Sequence, residues 1–197
     1  MYRMLQILMI CCSLIGLLAV NASSMTNAET ALDRAIERFN GKHYQESRSL
    51  LEQVIKTDPD NATAHYYLGR IYLHDGDYDK AISHCKTSVD LRPNVAAHHF
   101  CLGRSYGEKA RQAPFWMQAM LAPKIRKAFE TTIALEPSHR SARVGLTHFY
   151  MRAPSVMGGS LAKAQEQAEQ LIQLQDPRGE QLLQDILKRQ NKTPLSN

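Results

Sequence analysis

Arg70 and Arg104 each follow a glycine, and each has an aromatic residue four positions earlier, Tyr66 and Phe100. Side chains four apart lie on the same face of a helix, so each guanidinium shares a face with a ring. His148 holds the matching place in a later helix, and Arg152 lies one turn beyond it. A guanidinium binds a carboxylate through two parallel hydrogen bonds in a fixed geometry. A row of such groups between aromatic rings suits an extended peptide carrying acidic side chains or a free C-terminus. Arg34 or Glu37 would extend the row towards the N-terminus. The competing reading is that Arg70 and Arg104 are solvated, or paired with nearby acids such as Asp75 and Glu108.

A second group is apolar. Phe115, Trp116, Met117, Met120 and Leu121 fall between Pro114 and Pro123, in a stretch without charge from Gln112 to Pro123. Large apolar groups are normally buried, so Trp116 is expected to pack on Gly158-Gly159, where missing side chains permit close approach. Left open, Phe115, Trp116 and Met120 would anchor a protein or touch a membrane surface.

Other chemistry finds little to stand on. His65, His84, His98, His99 and His148 show no paired ligand spacing beside a carboxylate, so no metal or cofactor is expected. No serine elbow or glycine-rich phosphate loop is present, which argues against an enzyme. The net charge of +5 comes without a Lys/Arg run, so nucleic acid is not an expected partner. Asn61-Ala62-Thr63 fits a glycosylation sequon, relevant only in a eukaryotic secretory pathway.

The residues that position these groups repeat. Residues 65–72 read His-Tyr-Tyr-Leu-Gly-Arg-Ile-Tyr and residues 99–106 read His-Phe-Cys-Leu-Gly-Arg-Ser-Tyr, with five identities at an offset of 34. A fixed offset of this size marks stacked helical units. Apolar spacing and the turn prolines divide the chain into units at 30–61, 62–95, 96–139 and 140–177, with a final helix over 178–190 and a loose tail over 191–197. Pro137 arrives ten residues late, so the third unit carries an insertion within Gln112 to Pro123, read as an enlarged turn. A second interruption, Ala153 to Gly159, separates the helices of the fourth unit.

The N-terminus reads differently. Arg3 is a lone positive charge, residues 5–20 are almost wholly apolar, and Val20-Asn21-Ala22 offers a small-residue cleavage site. This is the pattern of a secretory signal over residues 1–22, with an uncleaved N-terminal anchor as the alternative. The alternative cut lies after Ala28; residues 23–29 form a short polar lead. Removing residues 1–22 lowers the charge from +5 to +4. Cys85 and Cys101 would then meet an oxidising compartment. They are read as small apolar core residues between neighbouring helices, with a disulfide as the alternative.

Leu68-Gly69-x-x-Tyr72 followed by Gly76, Tyr78, Ala81 and Pro93 resembles the tetratricopeptide repeat, a helix–turn–helix unit. Phe149-Tyr150 with Ala153-Pro154 and Gly158-Gly159 is similar to a group of bacterial exported proteins of that kind. The resemblance implies an all-α, right-handed α-solenoid of about four helix pairs plus a C-terminal capping helix. It implies that ligands lie in a concave groove lined by Tyr66, Arg70, Phe100, Arg104, His148 and Arg152. The function expected is a non-enzymatic protein–protein interaction scaffold in the periplasm or outside the cell, holding an extended partner segment, as an assembly factor. The alternative is a membrane-anchored structural subunit using the N-terminal segment and the Trp116 insertion.

Overall fold

Three prolines punctuate the helices. Asp58, Arg92 and Glu136 each precede one, and the proline ring keeps the preceding residue out of helical conformation. Their φ angles are −134°, −137° and −137°, and each ends a helix by donating its N–H to the carbonyl four residues back. The computed structural model describes residues 30–192; the expected leader, the polar lead and residues 193–197 of the tail lie outside them.

Among the described residues the chain is helical, without strands. Helix α1 covers 30–40, α2 Tyr44–Thr57, α3 Ala62–Asp75, α4 Tyr78–Leu91, α5 Ala96–Gln112, α6 Phe115–Leu135 and α7 Arg140–Arg152. A 3₁₀ turn at Ser155–Met157 leads to α8, Leu161–Gln173, and α9, Arg178–Lys192. The last helix therefore includes Asn191 and Lys192, which the sequence placed in a loose tail. Contacts divide the chain into two units, with the boundary between Leu68 and Gly69 inside α3.

In the first unit, Ala31, Ala35 and Phe39 of α1 are buried with Leu51 and Val54 of α2 and Ala64 and Leu68 of α3. Ser47 is buried too, because its hydroxyl donates to the Ala35 carbonyl at 2.8 Å. Phe39 sets its ring edge against Tyr44 and Tyr67. Asn61 caps α3 by accepting from the Ala64 N–H at 3.0 Å.

In the second unit each helix from α4 to α9 packs on the next. Cys85 and Cys101 form a disulfide, with Cα atoms 5.8 Å apart, which corrects the expectation of two unbonded core thiols. Both are buried. A Cβ on Gly69 would stand 2.5 Å from Cys85 Sγ and 3.3 Å from Cys101 Sγ, so only glycine fits over the bridge. A core of Leu121, Ile125, Phe129, Leu146, Phe149, Ala168, Leu171 and Ile186 continues towards the C-terminus. The α7–α8 connection closes on itself: the Ser160 N–H donates to Tyr150 O at 2.9 Å, and Ser160 caps α8. Gly158 turns the chain at φ +94°.

The repeated histidines have a structural role. His65 Nε2 bonds the Pro59 carbonyl at 3.0 Å, and His99 Nε2 bonds that of Pro93 at 2.7 Å. Arg143, also six residues beyond its turn proline, donates to Pro137 O through Nε and Nη2. The side chain at this position thus ties each helix to the turn before it.

The insertion in the third unit is not an enlarged turn. It lengthens α5 to Gln112 and lets α6 begin at Phe115, with only Ala113 and Pro114 between. Met117, Leu121, Ile125 and Phe129 recur every four residues and form one continuous inward stripe on α6. Pro123 lies in the helix interior without ending it. It is exposed, next to exposed Ala119, where the carbonyl it cannot bond meets water.

Candidate functional site

An open trough of about 750 Å³ runs between α5, α6 and α7. Phe129 makes its floor with Ala122 and Ile125, all three buried. The ring rises between α5 and α7 because both helices present glycine to it. A Cβ on Gly103 would stand 3.0 Å from the ring, and one on Gly145 2.7 Å. Phe100 packs at 6.0 Å from Phe129 and 4.6 Å from His139. Val144 and Phe149 of α7 complete the apolar wall, and Pro154 and Met157 close one end.

Charge sits at the rim. Arg104 is exposed, with its guanidinium 5.9 Å from the Phe100 ring centroid. Arg152 is exposed as well. Glu108, the expected partner of Arg104, pairs instead with Arg111 at 3.3 Å. No ion pair among the described residues involves Arg104 or Arg152. His148 is half-buried between them in the wall. Burial pushes its imidazole below the usual histidine range, and Arg152 and Arg189 push the same way. The ring is therefore neutral at pH 7, and the trough offers two guanidinium groups over an apolar floor.

Four expected residues, Phe100, Arg104, His148 and Arg152, line this one trough. Tyr66 belongs to the first unit, where its ring meets Tyr67 at 5.1 Å. Arg70 is half-buried on α3, engaged in contacts of its own, and does not line the trough. Arg34 is exposed and donates to Thr30 O. The floor residues Ala122, Ile125 and Phe129 escaped the sequence reading, although Gly145, another glycine inside a helix, was a usable sign that a large side chain approaches α7.

Phe115, Trp116 and Met120 stand outside the trough and are 64%, 62% and 60% exposed. This corrects the expectation that Trp116 packs on the Gly158-Gly159 loop. A Cβ on Gly159 would fall well inside van der Waals contact of the Ala153 carbonyl. The nearest side-chain atoms to one on Gly158 are Arg126 Nη1 and Phe149 Cζ. Gly159 thus serves the loop's own closure, and Gly158 its left-handed turn.

Residues 14–96 match the tetratricopeptide repeat model. Over these residues the chain is similar to tetratricopeptide repeats. A comparison with curated proteins finds no match. Among solved structures the chain is similar to TTC0263, a thermophilic tetratricopeptide protein of Thermus thermophilus, at 19% identity and a TM-score of 0.65, over 83% of this chain and 82% of that one. It is similar to MamA of Desulfovibrio magneticus at 19% identity and a TM-score of 0.58, over 78% and 77%. A match to an O-GlcNAc transferase of Thermobaculum terrenum, at 19% identity and a TM-score of 0.62, covers 76% of this chain but 26% of the enzyme. These likenesses establish the tetratricopeptide fold. Among the described residues no group of three or more His, Cys, Asp or Glu is placed to hold a metal ion.

Proposed function

We propose that this tetratricopeptide protein works in the cell envelope as a non-enzymatic assembly factor, holding an extended segment of a partner protein in the α5–α6–α7 trough. The observation that carries the reading is the pairing of an apolar floor with Arg104 and Arg152, neither of which pairs with a carboxylate among the described residues. The segment that fits brings carboxylates, from acidic side chains or a free C-terminus, to the rim. It lays an apolar side chain over Phe129.

The test is photo-crosslinking in the native cell from position 100, with mass spectrometry of what is captured, for the wild type and for Arg104→Ala with Arg152→Ala. Both arginines are exposed, so the double variant keeps its helical circular dichroism. Its affinity for the captured partner falls roughly tenfold per arginine, as for charge-assisted bonds at a partly solvated site. Equal capture by the double variant discards the trough as the binding surface.

A further inference from the structure

The exposed apolar residues of α6 do not belong to the trough, and the function proposed above does not use them. Phe115, Trp116, Ala119, Met120 and Pro123 are all exposed. At 100° per residue they share one side of the helix, and Lys124 and Lys127, also exposed, continue the same stripe. The outer face of α6 is thus apolar over its first two turns and cationic over the third. A helix face turned to water normally carries polar residues throughout.

The charge along this stripe is basic up to Glu130, whose carboxylate accepts from the Tyr150 hydroxyl at 3.0 Å. From Lys109 to Phe129 the chain has five basic residues and no acid. Lys109 pairs with Asp79 and Arg111 with Glu108, whereas no ion pair among the described residues takes Lys124, Arg126 or Lys127. The 3₁₀ turn Ser155–Met157, which packs against α6, adds no charge and leaves Val156 87% exposed. No helix among the described residues is long and apolar enough to cross a membrane, so α6 would lie on a bilayer and not through it.

We infer that the outer face of α6 docks on an anionic phospholipid surface, with Phe115, Trp116 and Met120 entering the headgroup–acyl boundary and Lys124 and Lys127 meeting lipid phosphates. Aromatic rings favour that boundary, and cations beside them add attraction to anionic lipid. Charge complementarity selects this occupant over a second copy of the chain, which would bring the same cations against themselves.

Trp116 is the only tryptophan in the chain, so its fluorescence reports this face and no other. The full-length protein is mixed with vesicles of phosphatidylcholine containing phosphatidylglycerol, and with vesicles of phosphatidylcholine alone. With the anionic vesicles the emission shifts to the blue and is quenched by lipids brominated on the acyl chain. Lys124→Gln with Lys127→Gln weakens partition roughly thirtyfold, since each cation near such a surface is worth about fivefold. Phe115→Ser with Met120→Ser weakens it at least roughly tenfold. Far-UV circular dichroism checks that both pairs of variants fold. An unchanged emission when the chain is bound to vesicles overturns the inference, because the apolar N-terminal stretch would then hold the chain while Trp116 stays in water. Equal shifts on neutral vesicles, indifferent to the lysines, also overturn it. So does a blue shift that follows protein concentration without lipid, which would assign the face to self-association.

Discussion

His148 is the residue in the trough whose charge state answers to a ligand. Burial, Arg152 and Arg189 hold its imidazole below the usual range, so it is neutral at pH 7. A carboxylate placed between Arg104 and Arg152 reverses the local field and favours the imidazolium, so binding takes up a proton. Affinity for an acidic peptide therefore rises as the pH falls from 8 to 6. It stays flat over that range in His148→Gln. Fluorescence anisotropy with a labelled glutamate-rich peptide measures both curves, and a flat wild-type curve places the carboxylate away from His148. The sign for stability is opposite. A histidine whose folded pKa is depressed binds its proton more readily when unfolded, so the fold loses stability as the pH drops below the unfolded value of about 6.5.

At the scale of elements, two glycines separate two kinds of constraint. Gly76 turns α3 into α4 at φ +80°, with nothing within 4 Å of where a Cβ would be. Gly76→Ala therefore costs only the left-handed conformation, about 1 kcal/mol. Gly159 meets the backbone of Ala153 and Pro154, which cannot move without opening the α7–α8 connection. Gly159→Ala should cost about 3 kcal/mol and lower the melting temperature by roughly 6 to 12 °C. Similar melting points for the two variants would show that the connection has slack. Much of the helix order was legible beforehand, because turn prolines, Gly76 and the 34-residue offset act locally. The length of α6 was not read, because Pro114 and Pro123 draw the eye to a loop. Yet Met117 and Leu121 already stand in phase with Ile125 and Phe129, and that periodicity wins. The trough was half legible. Arg104, His148 and Arg152 follow from the repeat register, whereas Phe129 comes from the opposing helix and depends on a tertiary approach. The exposure of Trp116 was not legible either, since nothing local says which loop closes on its own backbone.

For the whole molecule, the apolar N-terminal segment and the Cys85–Cys101 bridge bear on one question, the compartment in which the chain matures. In the proposed envelope location residues 1–22 would act as an export signal, and a buried disulfide would suit that oxidising compartment, whereas the cytosol keeps such thiols reduced. The bridge joins α4 to α5 across a separation of 16 residues. Closing a loop of that size in the unfolded chain contributes about 3 kcal/mol. Cys101→Ser should then lower the melting temperature by roughly 6 to 12 °C, with the helical content unchanged at low temperature. The decisive measurement is made on protein taken from its native cell and denatured with alkylating reagent before any reductant is added. Peptide mass mapping then finds Cys85 and Cys101 unmodified, and both become modified only after reduction. If both are alkylated without reductant, the chain matures where thiols stay reduced, and residues 1–22 do not carry it across a membrane.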